Sequence, residues 1–316
     1  MKTISIVTNC FNEKTNVQDL YERVKAVMNS MASYSYEHIF IDNASEDGTV
    51  EVLRGIARDD CNAKLILNTR NFGQIRSGTH ALLEATGDAV IHVVADLQDP
   101  PELIPKFLQK WEEGYRVVIG KKVGSVESLA MRFVRRTYYW AIEKLASTPQ
   151  IRNFTGFGLY DREVIETMRS LKDPYPYFRG LIAEFGHERT EIEYVQPRRK
   201  RGMTTHTLYS LYDMAMLGIT NHSKVPLRIA TFTGFIVSML SACVGIFYLV
   251  YKIVFWDRYD AGIAPLVIGL FFFAAVQLFF IGIIGEYVGA IHTQVLKRPL
   301  VVEKERVNFP ESSKEA

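Results

Sequence analysis

The chain contains few cysteines, and none of them belongs to a recognisable cysteine motif. Only three occur among 316 residues, at Cys10, Cys61 and Cys243, and no pair has the C-x-x-C spacing. Zinc sites and disulfide frameworks need such spacings or an even set of cysteines. The sequence therefore gives no support for a zinc site or for a disulfide-stabilised fold.

The chain also lacks a strong net charge and an N-terminal apolar leader. Its formal net charge of +2 at pH 7 is too small to indicate a nucleic-acid partner. The first residues, "MKTISIVTNCFNE", enter a strand pattern directly, without the apolar core of a signal peptide. We therefore expect the first domain to remain in the cytosol.

Residues 1–206 alternate short β-branched runs with helical patterns. The predicted strands are 3–9, 38–43, 64–69, 89–96 and 116–122, and the predicted helices lie near 16–31, 48–59, 74–86 and 102–113. Alternation of this kind predicts an α/β domain with a mostly parallel sheet covered on both faces. In such sheets, ligands bind beyond the carboxyl ends of the strands.

Two long apolar runs, 229–255 and 264–288, follow this domain. Each exceeds the roughly 20 residues that a helix needs to cross a bilayer, and the alternative is a pair of fully buried soluble helices. Basic residues flank the pair, whereas the short turn 256–262 separates its members. The positive-inside rule then places both flanks in the cytoplasm. The sequence predicts a protein that crosses the inner (plasma) membrane twice, with a cytoplasmic domain at 1–206 and a cytoplasmic tail at 289–316.

The region 207–228 precedes the first span. Its apolar positions within 207–222 suit a helix lying in the plane of the membrane interface, and they suit a core helix of the soluble domain nearly as well. The tail segment 297–307 has strand character, and it is a candidate for pairing with the sheet edge of another subunit.

Polar side chains follow four of the predicted strands, and the parallel arrangement would place them along one rim. The expected nucleotide-binding residues are Thr8, Asn12, Glu13, Asp42, Arg70 and Asp96. For Asp42 the alternative is a local role at the start of a helix, where Ser45 is an equally suitable N-cap. The last stretch, "VVADLQDPPE" (93–102), adds Gln98 beside Asp96.

Taken together, these stretches resemble the polyprenyl-phosphate glycosyltransferases of the dolichol-phosphate mannose synthase type. The bacterial undecaprenyl-phosphate glucosyltransferases are the nearest type, and the resemblance extends over nearly the whole chain, through "KVPLRIATFTGF" and "GIIGEYVGAIHTQVLKRPL". It implies a GT-A (Rossmann-like) catalytic domain with a two-helix membrane domain. It also implies inverting transfer of a hexose from a nucleotide sugar, UDP-linked by expectation, to a polyprenyl phosphate.

The resemblance assigns Asp96 and Gln98 as the catalytic and metal-binding pair, with Mg²⁺ or Mn²⁺ as cofactor. Four positions depart from the family pattern. These four are Val94 and Asn43, each in place of an Asp, the pair Asn153 and Gly156, which counts as one departure in place of an acidic segment, and Thr205 in place of a Lys. Such changes are compatible with an altered donor, an altered metal dependence or a catalytically silent member with a binding role.

The chemistry favours retained activity, because the acceptor of this reaction is a phosphate monoester. Its second pKa is about 6, so it is largely dianionic near neutral pH and needs no general base. The expected acceptor-phosphate residues are Lys121, Arg132, Arg136, Arg199 and Arg201, although a solvated charged face is the alternative for each. A glycosyltransferase with a different acceptor is the second rival function.

Small residues recur along both predicted spans. Gly234, Ser238, Ser241 and Gly245 lie in the first, and Gly269, Gly282, Gly285 and Gly289 lie in or just after the second. Small residues permit close approach of helices within lipid. We expect a homo-oligomer, a tetramer by resemblance, and the alternative is a monomer whose two helices pack on each other.

Overall fold

The computed structural model describes residues 1–123, 151, 154–197, 216–220, 223–255 and 263–310. The strands are β1 (Lys2–Cys10), β2 (Tyr34–Asp42), β3 (Ala63–Asn68), β4 (Ala89–Val94), β5 (Val117–Lys122), β6 (Phe154–Asp161), β7 (Arg189–Tyr194) and β8 (Glu303–Val307). The helices are α1 (Val17–Asn29), α2 (Thr49–Asp59), α3 (Gln74–Glu84), α4 (Ile104–Glu112), α5 (Arg162–Leu171), α6 (Phe178–Glu184), α7 (Val225–Val254) and α8 (Ile263–Leu296).

The strands form one sheet in the order β7-β5-β6-β4-β1-β2-β3-β8. Strands β4, β1, β2 and β3 are parallel neighbours. Their apolar runs are buried, as in Ile4, Ile6 and Val7 of β1, because helices cover both faces of a parallel sheet. This half of the sheet confirms the predicted α/β class and the GT-A type of fold.

The other half of the sheet is mixed. Strand β6 runs antiparallel to both β4 and β5, and β7 pairs in parallel with β5. Neither β6 nor β7 was among the predicted strands. Strand β6 carries two glycines and β7 is charged at alternate positions, so neither shows the β-branched run that marks a buried central strand.

The C-terminal segment returns to the sheet. Strand β8 pairs antiparallel with β3 of the same chain, for example Leu65 with Val307. The expectation that 297–307 pairs with another subunit is therefore wrong in this structure. Strand β3 would otherwise expose a row of unpaired backbone groups, and the end of α8 at Leu296 leaves enough chain to reach it.

Helices α7 and α8 are long and apolar enough to cross a membrane. Their most apolar 18-residue windows have mean hydropathies of 2.0 and 2.6, and 0% of either window is buried within the structure. Helix α7 starts earlier than predicted, at Val225, and α8 continues beyond residue 288 to Leu296. Of the predicted interfacial segment 207–222, only 216–220 lies within the described residues, and it is helical.

An ionic cluster fastens β8 to α3. The Arg306 guanidinium donates to Glu84 Oε2 at 2.7 Å and also to Glu303, and His80 Nε2 lies 2.5 Å from Glu303 Oε1. Burial acts to raise the pKa of Glu303, but hydrogen bonds from His80 and Arg306 outweigh it and hold this pKa at about 2. His80, Glu84 and Glu303 are spaced closely enough to ligate a metal. Since Arg306 already pairs with both carboxylates, we assign the cluster a structural role.

We predict that Arg306→Gln lowers the free energy of unfolding by about 1–3 kcal/mol, because the partly buried carboxylates of Glu84 and Glu303 lose the charged hydrogen bonds that the guanidinium donates. The folded pKa of Glu303 lies below its usual value of about 4.3. Its contribution to stability is therefore complete above that value and is lost as the pH falls toward 2. Thermal unfolding at pH 7 and pH 4 should show a smaller difference between wild type and variant at pH 4.

Arg54→Gln on the neighbouring pair with Glu305 is the matched control. Both of its partners are about two-fifths exposed, so the loss should stay below about 1 kcal/mol. Equal losses for the two variants would contradict the anchoring role of Arg306.

Candidate functional site

The carboxyl ends of β1, β2, β3 and β4 meet at one rim of the sheet. In the parallel register Cys10 lies beside Asp42, and Asn9 lies beside Val94. The loops that follow these four strands are therefore neighbours in space. The structure thus assembles the polar segments that the sequence places after the strands.

The loop after β4 presents alternate side chains to the rim. Val94, Asp96 and Gln98 are half-buried, whereas the residues between them are buried. Asp96 Oδ1 accepts a hydrogen bond from the backbone N–H of Gln98 at 3.0 Å, which shapes the loop as an Asx turn. Val94 is therefore about as accessible as the Asp96 carboxylate and the Gln98 amide, at the position where the resemblance implies another carboxylate.

Asp99 points the other way, into the protein. It is 1% exposed, and its Oδ1 accepts a hydrogen bond from Tyr194 Oη at 2.7 Å. Its other oxygen has no partner among the described residues. Burial raises the pKa of Asp99 to about 6, and the nearby charge of Asp96 contributes in the same direction. This bond joins the Asp96 loop to the end of β7, a link that the sequence did not reveal.

The turn after β2 is built around Asp42. Its carboxylate accepts from Ser45 N at 2.9 Å and from Ser45 Oγ at 2.5 Å, and burial raises its pKa. Asn12 ties the β1 loop to this turn, since its N–H donates to Ser45 Oγ at 2.8 Å and its Oδ1 accepts from Glu46 N at 2.9 Å. Asp42 and Ser45 thus shape the turn, and the N-cap of α2 is Gly48 instead.

Three rim residues other than glycine adopt left-handed backbone conformations. They are Asn12, Ala44 and Leu97, with φ of 56°, 62° and 60°. Each follows a different strand at the same edge. Sparsely populated backbone conformations persist where surrounding contacts enforce them, and they cluster at functional sites. These backbone conformations therefore indicate a functional site at this rim, independently of the pattern of polar side chains.

Asn43, which replaces a family carboxylate, holds the loop after β3. Its Oδ1 accepts from Phe72 N at 2.9 Å and from Asn68 Nδ2 at 3.2 Å, and its Nδ2 donates to Asn71 Oδ1 at 2.7 Å. An aspartate cannot make the last bond. The amide of Asn43 therefore makes a bond to the Asn71 loop that a carboxylate at this position would lack.

The other residues that were predicted to bind the nucleotide differ in how exposed their side chains are. Thr8 is fully buried, and its Oγ1 lies 3.0 Å from His38 Nε2, so its contact with the nucleotide stays a prediction. Glu13 accepts from Asn16 Nδ2 at 2.5 Å at the start of α1. Arg70 is exposed, and its guanidinium lies 4.0 Å from the centre of the Phe72 ring.

On the acceptor side, Lys121 Nζ pairs with Glu191 at 2.7 Å. The other expected acceptor residues, Arg132, Arg136, Arg199 and Arg201, lie outside the described residues. So do Asn153 and Thr205 among the departures from the family pattern. Gly156 is described, and its φ of 103° would strain a carboxylate residue at that position.

Comparison with known proteins shows a shared family. Residues 5–168 match the model of the family described as Glycosyl transferase family 2. An uncharacterised glycosyltransferase of Bacillus subtilis is 33% identical over 94% of this chain and 92% of its own length. A bactoprenol glucosyl transferase of Shigella phage SfX is 33% identical over 96% of this chain and 99% of its own length.

Among solved structures, the glucosyl-3-phosphoglycerate synthase of Mycobacterium tuberculosis is similar with a TM-score of 0.48 and 18% identity. The match covers 69% of this chain and 76% of that chain.

We predict that Tyr194→Phe lowers the free energy of unfolding by about 1–3 kcal/mol at pH 8, because it removes the donor of a buried carboxylate. The folded pKa of Asp99 already lies above its ordinary value, so the buried charge is unfavourable mainly above pH 6. The loss should therefore shrink at pH 5, where the carboxyl is protonated. Thermal unfolding at both pH values measures it.

Tyr34→Phe is the matched control, since its hydroxyl bonds exposed Glu112 at 3.0 Å. That variant should change stability by less than about 0.5 kcal/mol at either pH. A loss for Tyr194→Phe that is independent of pH would argue against a strained buried charge at Asp99.

Proposed function

The chain belongs to glycosyl transferase family 2 and is a glycosyltransferase, and on this premise we propose that it transfers a hexose from a UDP-sugar to undecaprenyl phosphate. The transfer takes place at the cytoplasmic face of the membrane and inverts the anomeric carbon. The observation that carries the proposal is the rim loop after β4, where the side chains of Asp96 and Gln98 are both partly accessible. Relatives that are named bactoprenol glucosyl transferases support the acceptor class and glucose as the first donor to test.

We assign the donor to the rim beyond β1, β2, β3 and β4. Asn12 and Glu13 come from the first loop, and Asp42 fixes the second. Because the Asp42 carboxylate already accepts twice from Ser45, we give it the role of positioning the turn against the nucleotide. Arg70 is exposed, and its guanidinium suits a contact with the base or the diphosphate.

Asp96 and Gln98 fit a Mg²⁺ or Mn²⁺ ion. Both side chains are half-buried at the rim, and both offer the hard oxygen ligands that Mg²⁺ prefers. Mg²⁺ commonly keeps several waters and takes one or two carboxylates together with substrate phosphates, so the replacement of a carboxylate by Val94 leaves a workable set. When bound, the ion would neutralise charge on the leaving diphosphate.

The proposed reaction needs little proton chemistry from the protein. An oxygen of the lipid phosphate forms a bond to the anomeric carbon as the bond from that carbon to the diphosphate breaks, and UDP leaves. The nucleophile is already anionic near pH 7. The protein positions two polyanions and stabilises the departing charge, a task that fits the rigid rim.

We place the acceptor phosphate near the segments that follow β5 and β7, with Lys121, Arg132, Arg136, Arg199 and Arg201 as ligands.

Helices α7 and α8 cross the inner membrane in this proposal, with both flanks in the cytoplasm. A reporter that is active only outside the cytoplasm should be silent at residue 316 and active within 257–261.

We also propose a homo-oligomer, because the small residues of the two helices permit close approach of helices within lipid. Measurement of the protein's mass in mild detergent tests it.

Two alternative functions can be distinguished from this proposal by experiment. A silent member that binds a lipid or partner is motivated by Val94, Asn43 and Gly156. A transferase with another acceptor would show turnover that does not depend on added polyprenyl phosphate.

The purified full-length protein, incubated with undecaprenyl phosphate and a panel of labelled nucleotide sugars, tests the proposal. We predict a charged glycolipid that mild acid cleaves, formed from a UDP-hexose. Asp96→Asn should lower its rate by roughly 10²-fold, since a positioned charge of this kind contributes on that scale. The matched control is Asp59→Asn, an exposed carboxylate at the end of α2, which should leave the rate unchanged.

Absence of product with every donor would support the silent member. Equal rates with and without the lipid would support another acceptor. Equal rates for wild type and Asp96→Asn would remove Asp96 from the site.

A further inference from the structure

Three arginines lie together where the chain returns from α8 to the sheet. Arg76 stands in the first turn of α3, and its guanidinium donates to the carbonyl of Pro299. Burial lowers the pKa of Arg76, and the positive charges of Arg70 and Arg298 lower it further. Arg70, Arg76 and Arg298 are called the arginine cluster below.

Phe72 brings two members of the cluster close to each other. The guanidinium carbon of Arg70 lies 4.0 Å from the centre of the Phe72 ring, and that of Arg76 lies 5.4 Å from it. The two charges are therefore at most 9.4 Å apart, the sum of these distances. Stacking uses the faces of the guanidinium groups, and the N–H groups that do not already donate to the carbonyls of Asn71 and Pro299 remain for an anion.

The cluster has no carboxylate to balance it. Within the described parts of the chain, none of the three arginines forms a salt bridge, whereas Arg54 and Arg306 at the same side of the sheet each pair with glutamates. The Nε of Arg76 is buried and lacks any hydrogen-bond partner among the described residues. Like charges held this close are unfavourable unless an anion joins them, and phosphate, like carboxylate, is an anion that arginine binds in a forked geometry.

The position of the cluster points to a lipid phosphate. Arg298 follows the end of α8 by two residues, and Val295 in the last turn of that helix is 70% exposed. If α8 crosses the membrane, as the proposed function holds, the cluster lies at the level of the lipid headgroups. Basic residues placed directly beyond a membrane helix bind anionic lipids.

The cluster is separate from the proposed acceptor site. Strands β6, β4, β1 and β2 lie between β5, which carries Lys121, and β3, which leads to Arg70. At about 4.8 Å per strand, this separation is roughly 24 Å. A phosphate bound at the cluster is therefore too far away to be the reacting phosphate near Lys121.

We propose that Arg76 and Arg298, beside Arg70, bind the phosphate of an anionic phospholipid that does not react. This lipid would hold the β3 side of the catalytic domain against the membrane. The proposal rests on the membrane placement of α8 in the proposed function, but it does not depend on the transfer reaction.

Calorimetric titration of the full-length protein in a neutral detergent tests the proposal. The probes are dioctanoyl phosphatidylglycerol, dioctanoyl phosphatidylcholine, inorganic phosphate and UDP. Phosphatidylglycerol should bind the wild-type protein, and each of Arg298→Gln and Arg76→Gln should weaken it about fivefold, as expected for one basic residue at a membrane surface. Phosphatidylcholine should bind neither form.

Arg58→Gln is the matched control, because Arg58 is exposed on α2, away from the cluster in sequence, and its loss should leave lipid binding unchanged. Arg298→Gln is the cleaner test, since Arg70 and Arg76 each donate a hydrogen bond to a backbone carbonyl, whereas Arg298 donates none among the described residues. An unchanged unfolding temperature for Arg298→Gln would show that its effect on binding is local.

Three results would overturn the proposal. The first is equal affinity for phosphatidylglycerol in the wild type and in the variant that lacks both Arg76 and Arg298. The second is binding of inorganic phosphate as tight as that of the lipid, which would indicate a site for a small anion. The third is a loss of UDP affinity in Arg298→Gln as large as its loss of phosphatidylglycerol affinity, which would place Arg298 in the donor site together with Arg70. Because none of these measurements involves sugar transfer, failure here is distinguishable from failure of the proposed enzymatic activity.

Discussion

The parallel register of β4, β1, β2 and β3 is the constraint on which the rest of the molecule depends. Parallel strands end at one edge, and their loops must satisfy the exposed backbone groups there without help from a hairpin. This chain does so with short polar turns in which Asn12, Ala44 and Leu97 take left-handed conformations. The result is a rim whose backbone is fixed before any ligand arrives.

Most polar side chains at this rim are already engaged with the protein. The Asp42 carboxylate accepts from Ser45, and Asn43 holds the loop after β3. Asp99 is buried against Tyr194. Asp96 and Gln98 remain as accessible oxygen donors, so the proposed chemistry concentrates on them. Changes from the family pattern at positions 43 and 156 then reflect local geometry, because Asn43 donates a bond that a carboxylate cannot and Gly156 has a left-handed backbone.

The sequence predicts the parallel half of the sheet and the two apolar helices, since both depend on long, repetitive patterns of apolar residues. It does not predict β6 or β7, whose glycines and alternating charges carry a weak pattern. The sequence likewise does not predict which strand β8 pairs with, because strand character does not identify the sheet edge that a strand joins. At the site, the sequence places Asp96 and Gln98 at the rim. It does not reveal that Thr8 contacts His38, since burial of a strand-end hydroxyl there depends on register between distant segments.

In the proposed site, Asp96 is the carboxylate that, together with Gln98, holds the metal and the donor diphosphate. The most direct measurement is calorimetric UDP affinity of the full-length protein with and without Mg²⁺, compared among wild type, Asp96→Asn and Val94→Asp. The account predicts that Mg²⁺ tightens binding to the wild type by about tenfold, roughly 1.4 kcal/mol, and that Asp96→Asn abolishes this gain. The account would be contradicted if Mg²⁺ did not change the UDP affinity of the wild type and tightened UDP binding only in Val94→Asp.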